Sequence, residues 1–168
     1  MKSISTFAKK VMSMDVLLSI KPRFADRIFT GKKKYEFRKT GFRSPDAVDT
    51  IYLYASSPVQ RIVGAFTMDK IDSDKPENLW NKYGDFSGVA NRGQFMNYFD
   101  GVTEGYAIKI EKVHELDRPI NPKKHVENFS PPVSFYYLED DSELELAGRF
   151  PNRITRAQPT ELPQYSSD

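Results

Sequence analysis

The sequence predicts an α+β protein, a small mixed β-barrel of five or six strands with inserted helices that plug its ends. Three observations carry this. Apolar and polar residues alternate with period two in several separate stretches, prolines and glycines bracket short stretches of helical spacing between them, and 168 residues is enough chain for one domain with a real core.

Residues 15–20 are the first expected strand. A helix follows over 22–30, with Pro22 in the first turn, where its missing N–H costs nothing, and Gly31 at the stop, where a left-handed backbone is wanted. Phe24, Ala25, Ile28 and Phe29 form its apolar face. The period then changes: residues 33–39 read as a strand with Tyr35 and Phe37 on one side and Lys34, Glu36 and Arg38 on the other. After a polar loop over 41–49, residues 50–55 and 59–71 form a hairpin around the turn Ser56-Ser57-Pro58, with a bend near Gly64. Pro76 opens a helix carrying Leu79, Trp80 and Tyr83, and Asn91 opens another carrying Phe95, Met96 and Phe99; Gly84 and Gly101 end them. Residues 105–116 alternate Tyr106, Ile108 and Ile110 against Lys109, Glu111 and Lys112, which is a strand. A proline-punctuated loop over 119–132, a short aromatic strand over 134–138 and a weak helix over 141–150 complete the domain, taken as residues 15–150. Residues 1–14 read as an arm, and residues 151–168, polar and aperiodic, as a mobile tail. Met12 and Met14 sit just before the first strand and leave two readings of the native start, Met1 or Met14.

Composition excludes several classes. No apolar run approaches the roughly 20 residues that a membrane span needs, and the arm lacks the apolar centre of a secretory signal. Cysteine is absent, which removes disulfides, thiolate metal sites and cysteine nucleophiles together and fits a reducing, cytoplasmic compartment. Two histidines, His114 and His125, make no metal cluster alone, and neither a metal nor a cofactor is expected. The net charge of +2 hides a lopsided distribution: residues 1–43 carry 12 Lys+Arg against 3 Asp+Glu, and the remainder 13 against 20. A local positive field of this kind attracts phosphates whatever the total charge.

Gly31, Lys33, Glu36 and Arg38 have the spacing G-x-K-x-x-E-x-R, and with the strand and helix before them they resemble the ASCH domain of the PUA-like superfamily. Ser19-Ile-Lys-Pro22, Tyr54-Ala-Ser-Ser-Pro58, Gly105-Tyr-Ala-Ile108 and Pro131-Pro-Val-Ser-Phe135 extend the resemblance to ASCH proteins described as predicted transcriptional regulators. The resemblance covers residues 15–138 and implies a β-barrel whose cleft is lined by the motif residues and binds RNA or a nucleotide-like ligand. The regulator description goes with a helix-turn-helix region, and none is visible here, so DNA binding by this chain alone is not expected.

Side-chain chemistry sorts the candidates. Arg38 carries a planar fork suited to a phosphate or base edge, Lys33 a point charge, and Glu36 an acceptor for a nucleobase amine. Lys21, Ser56 and Ser57, with Ser19, are candidates for a phosphate cradle. Tyr35, Phe37, Tyr52, Tyr54 and Tyr106 are stacking candidates, although alternation assigns most of them to a core. Two functions of different class stay open. One is a module that binds RNA or a modified nucleobase, in gene regulation. The other is a hydrolase acting on RNA or acylated nucleosides with Lys33 and Glu36 as its catalytic pair. Small ASCH amidohydrolases that this chain resembles use a lysine, a threonine and a glutamate; Lys33 matches the lysine, whereas Glu36 stands where the threonine belongs. Oligomeric state is not fixed by the sequence.

Overall fold

The computed structural model describes residues 14–138, so the arm before Met14, the helix expected over 141–150 and the tail from 151 lie outside the described residues. The elements run β1 (Met14–Ile20), α1 (Pro22–Phe29), β2 (Tyr35–Arg38), β3 (Val48–Ala55), β4 (Arg61–Asp74), α2 (Pro76–Tyr83), α3 (Arg92–Tyr98), β5 (Gly105–Ile120) and β6 (Phe135–Leu138). All six strands belong to one sheet in the order β2-β5-β4-β3-β1-β6. The sheet is mixed: β1 and β3 are parallel, Leu18 opposite Leu53, and the other pairs are antiparallel. It is a curled half-barrel rather than a closed ring, because β2 and β6 are its two unjoined ends.

Burial explains the patterns. Val16, Leu17 and Leu18 are all fully buried because β1 is covered on both faces, which is why it reads as a continuous apolar run. On one face Val16, Leu18, Ile51, Leu53 and Phe66 pack with Ala25 and Ile28 of α1; on the other, Leu17, Tyr52, Tyr54 and Ile62 are covered by Val126 and Phe129. A third cluster joins Phe37 and Ala107 of the β2–β5 pair to Leu79, Phe95 and Phe99. The bend expected near Gly64 is a register shift: β4–β5 pairing jumps from Gly64↔Glu115 to Ile62↔Ile120. This shift lets β5 continue through Pro119, beyond the expected end at 116, since an unpaired position tolerates a residue without an N–H.

Residues 75–104 leave and rejoin the sheet at the neighbouring pair Asp74↔Gly105. Pro76 opens α2 and Asn91 caps α3, its side-chain oxygen accepting from Gln94 N at 2.9 Å. Gly84 ends α2 as expected, with φ −54°, and its missing side chain lets the chain approach the Trp80 ring closely. The insert is clasped to the sheet through Asp72, whose carboxylate accepts from Tyr83 Oη at 2.5 Å and Lys82 Nζ at 2.7 Å. Tyr83 also stacks on Tyr35, with ring centroids 4.1 Å apart.

Candidate functional site

The turn between α1 and β2 sets the position of Lys33. Gly31, at φ +82°, ends the helix in the left-handed region, and Lys33 N donates to Arg27 O at 2.9 Å. The strand starts only at Tyr35, not at 33 as expected, so Lys33 escapes the alternation that would send it to the face opposite Glu36. Its Nζ lies 3.4 Å from Glu36 Oε1 and donates to Ser87 O at 2.6 Å. The Phe24 and Phe37 rings flank the ammonium, with centroids 5.3 and 5.2 Å away.

Three successive carbonyls of the segment after α2 are bound by this turn and the last turn of α1. Phe86 O accepts from Lys34 N, Ser87 O from Lys33 Nζ, and Gly88 O from Arg27 Nη1, at 2.8, 2.6 and 2.5 Å. Gly88 has φ +72°, and a Cβ there would meet Lys33 Cβ at 2.9 Å. The insert therefore holds the motif lysine by direct contact.

Glu36 and Arg38 share one face of β2, as alternation predicts, but they form a buried pair and not a solvated one. Arg38 Nε and Nη2 lie 2.8 and 2.7 Å from Glu36 Oε2. Nη2 also donates to Ser19 O at 2.7 Å, and Nη1 to Ser134 Oγ at 3.2 Å. Lys33, Glu36 and Arg38 are 4%, 4% and 8% exposed. Burial is the largest influence on Lys33 and lowers its pKa below the usual 10.5; Arg38 and Arg27 add to that, against the pull of Glu36.

These three residues form the floor of a cleft of about 830 Å³, and the other expected site residues, Lys21, Ser56 and Ser57, also line it. Lys21 and Ser57 are exposed at its mouth. Ser19 is present too, but its hydroxyl donates to Pro132 O at 2.7 Å and ties the rim loop to β1. Among the stacking candidates, Phe37 and Tyr54 line the cleft, whereas Tyr35, Tyr52 and Tyr106 do not. His114 is not among the lining residues either; it pairs with Ala65 inside the sheet.

Sequence reasoning missed one wall and part of the rim. Arg23 and Phe24 come from α1, and Gln94, Asn97 and Tyr98 from α3; Gln60 and Val133 complete the mouth. The signal for α3 was its spacing: with Phe95 and Phe99 facing the core, Gln94, Asn97 and Tyr98 must face outward together. Burial raises the Tyr98 pKa above 10, and its hydroxyl donates to Phe37 O at 3.4 Å. The lining holds Lys21, Arg23, Lys33 and Arg38 against Glu36 as its single acid, a formal charge of +3. Among the described residues no group of three His, Cys, Asp or Glu side chains is placed to hold a metal, and no helix is long and apolar enough to cross a membrane.

A curled mixed sheet with a motif-lined cleft defines an ASCH domain of the PUA-like type. Residues 13–137 match the family described as "Domain of unknown function (DUF365)", an ASCH-type family to which the chain belongs. The chain is 30% identical over 135 residues to an ASCH domain-containing ribonuclease of Zymomonas mobilis, covering 79% of this chain and 89% of that protein. It is also 30% identical over 133 residues to an ATP synthase subunit alpha of Ureaplasma parvum, of which it spans only 16%. The crystal structure of ASCH from Zymomonas mobilis superposes with a TM-score of 0.71 at 28% identity, over 83% of this chain and 95% of that one. Two mutants of that protein, a tyrosine-to-phenylalanine and a serine-to-alanine change, give the same TM-score of 0.71.

Proposed function

We propose that the cleft binds single-stranded RNA, one nucleotide seated over Lys33, Glu36 and Arg38 and its flanking phosphates against Lys21 and Arg23. The observation that carries this reading is the charge of the lining, four cations with one carboxylate, in a space large enough for more than one nucleobase. Phe24 and Tyr98 supply ring surface beside the charged floor, the combination on which single-stranded nucleic acid binders depend. The hydroxyls of Ser56 and Ser57 add phosphate donors. A module of this kind works on RNA in the cytoplasm, and regulation at the RNA level follows from occupancy alone.

RNA cleavage is the second reading, favoured by the relative named as a ribonuclease and by the Lys33–Glu36 pair. In it the 2′-oxygen attacks phosphorus and the P–O5′ bond breaks, leaving a 2′,3′-cyclic phosphate and a 5′-hydroxyl. Glu36 takes the 2′-hydroxyl proton, and Lys33, made more acidic by burial, protonates the leaving oxygen while its charge stabilises the phosphorane. Deacylation of nucleosides has less support, since no threonine lines the cleft.

The test compares short single-stranded RNA with its 2′-O-methyl analogue, which cannot undergo this reaction. Binding of both, without product, establishes a binding module; a cyclic-phosphate product from RNA alone, abolished by Glu36→Gln while the analogue still binds, establishes the nuclease. Absence of binding to either at low salt overturns both readings.

A further inference from the structure

We infer that Gln94 and Asn97 of α3, with Gln60 across the cleft mouth, read the bases of the bound RNA, so that selectivity lies in these neutral carboxamides and not in the charged floor. The inference rests on the RNA reading and deepens it. Hydrogen-bonding capacity decides where selectivity can lie. Each guanidinium nitrogen of Arg38 already has a protein acceptor: Nε on Glu36, Nη2 on Glu36 and Ser19 O, and Nη1 on Ser134. Glu36 is held from both sides, by Arg38 at Oε2 and Lys33 at Oε1, and Lys33 also donates to Ser87 O. The floor fixes charge and shape, with little capacity left to tell one base edge from another.

The three carboxamides stand in the opposite condition. Their side chains are exposed on the cleft lining, and among the described residues none of them takes part in a hydrogen bond that holds the fold. The interactions of their residues run through the backbone: Gln94 N donates to the Asn91 cap, and Gln60 O accepts from Arg61 Nη1 at 2.9 Å. A carboxamide carries a donor beside an acceptor, the pairing that a base edge presents, and being neutral it adds nothing to phosphate affinity. Gln94 and Asn97 are three apart on a helix and so lie side by side, with Tyr98 next to them as a ring on which a base can stack. Sequence-specific reading of RNA acts on unstacked bases in this way, by hydrogen bonds to their edges and stacking on aromatic faces.

The experiment measures the affinities of four 2′-O-methyl homotetramers, of A, C, G and U, for wild type and for Gln94→Ala/Asn97→Ala. Both positions are exposed on a helix, where alanine is well tolerated. Wild type should separate the best from the worst tetramer by roughly tenfold or more. The double variant should bind all four within about threefold of one another, with an unchanged salt slope, because every cation that faces phosphate is still in place. Equal binding of all four tetramers by wild type, or a variant that keeps the wild-type ranking, overturns the inference and leaves the RNA reading intact. Failure of every tetramer to bind wild type overturns the RNA reading as well.

Discussion

Arg38 Nη2 donates to the carbonyl oxygen of Ser19 at 2.7 Å, and this one bond joins β2, the first strand of the sheet order, to β1, the last but one. The sheet must curl for the two to meet. With Ser134 and Glu36 also on its guanidinium, Arg38 is a seam between the unjoined edges as well as a wall of the cleft. Arg38→Ala leaves Glu36 buried with its strongest partner gone, so the variant should lose about 3–5 kcal/mol of stability. Urea unfolding measures it, and a loss under about 1 kcal/mol would show that the seam is dispensable.

Lys33 gives a pH signature with a definite sign. Its folded pKa is below 10.5, so between that value and 10.5 the unfolded chain holds a proton that the native state has released. The cost of burying the ammonium is present below the folded pKa and recedes as pH rises through it. Wild type should therefore gain stability relative to Lys33→Met as pH climbs toward 10.5 through the range just below it. Urea midpoints for the two proteins across that window test this, and a constant difference would refute it.

At Gly88 a methyl group does two kinds of damage. The φ of +72° disfavours any side chain, and the new Cβ would sit 2.9 Å from Lys33 Cβ. Gly88→Ala should cost about 1 kcal/mol or more, and it should weaken RNA binding although residue 88 is not part of the cleft lining.

Lys21 and Arg23 are the cations of the cleft for which electrostatic attraction of phosphate is the proposed role. Lys21→Ala/Arg23→Ala should lower RNA affinity and make the plot of log affinity against log salt shallower by about 1.4, since each phosphate left without its cation on a single strand changes the slope by about 0.7. An unchanged slope would place the phosphates elsewhere.

Much of this architecture was legible in the sequence because its signals are local. Pro22, Gly31, Pro76 and Asn91 mark helix ends by backbone chemistry that needs no partner, and each stands at or next to an observed boundary. The cleft residues Lys21, Lys33, Glu36, Arg38, Ser56 and Ser57 came from a motif and its flanking segments, and they line one space. What could not be read was non-local. Alternation puts Lys33 on the wrong face of β2; only the turn and a carbonyl 54 residues away bring it to Glu36. The burial of Glu36 and Arg38 depends on Ser19 and Ser134, whose distance no periodicity encodes. Spacing gives Gln94 and Asn97 a shared outward face but not a place in the cleft, because that depends on which part of the sheet α3 lies against.

The insert of residues 75–104 departs from and returns to adjacent positions, Asp74 and Gly105. In topological terms it is an overgrown hairpin loop, whose inward side chains pack on Phe37 and Ala107 while its outward ones touch no strand pairing. Evolution can then rewrite the outward face of α3 under one constraint, that the carbonyls of residues 86–88 still meet the α1–β2 turn and the last turn of α1. Descendants of one ancestral domain can diverge in what they recognise while inheriting the same charged floor, much as a lock is re-keyed without replacing its housing.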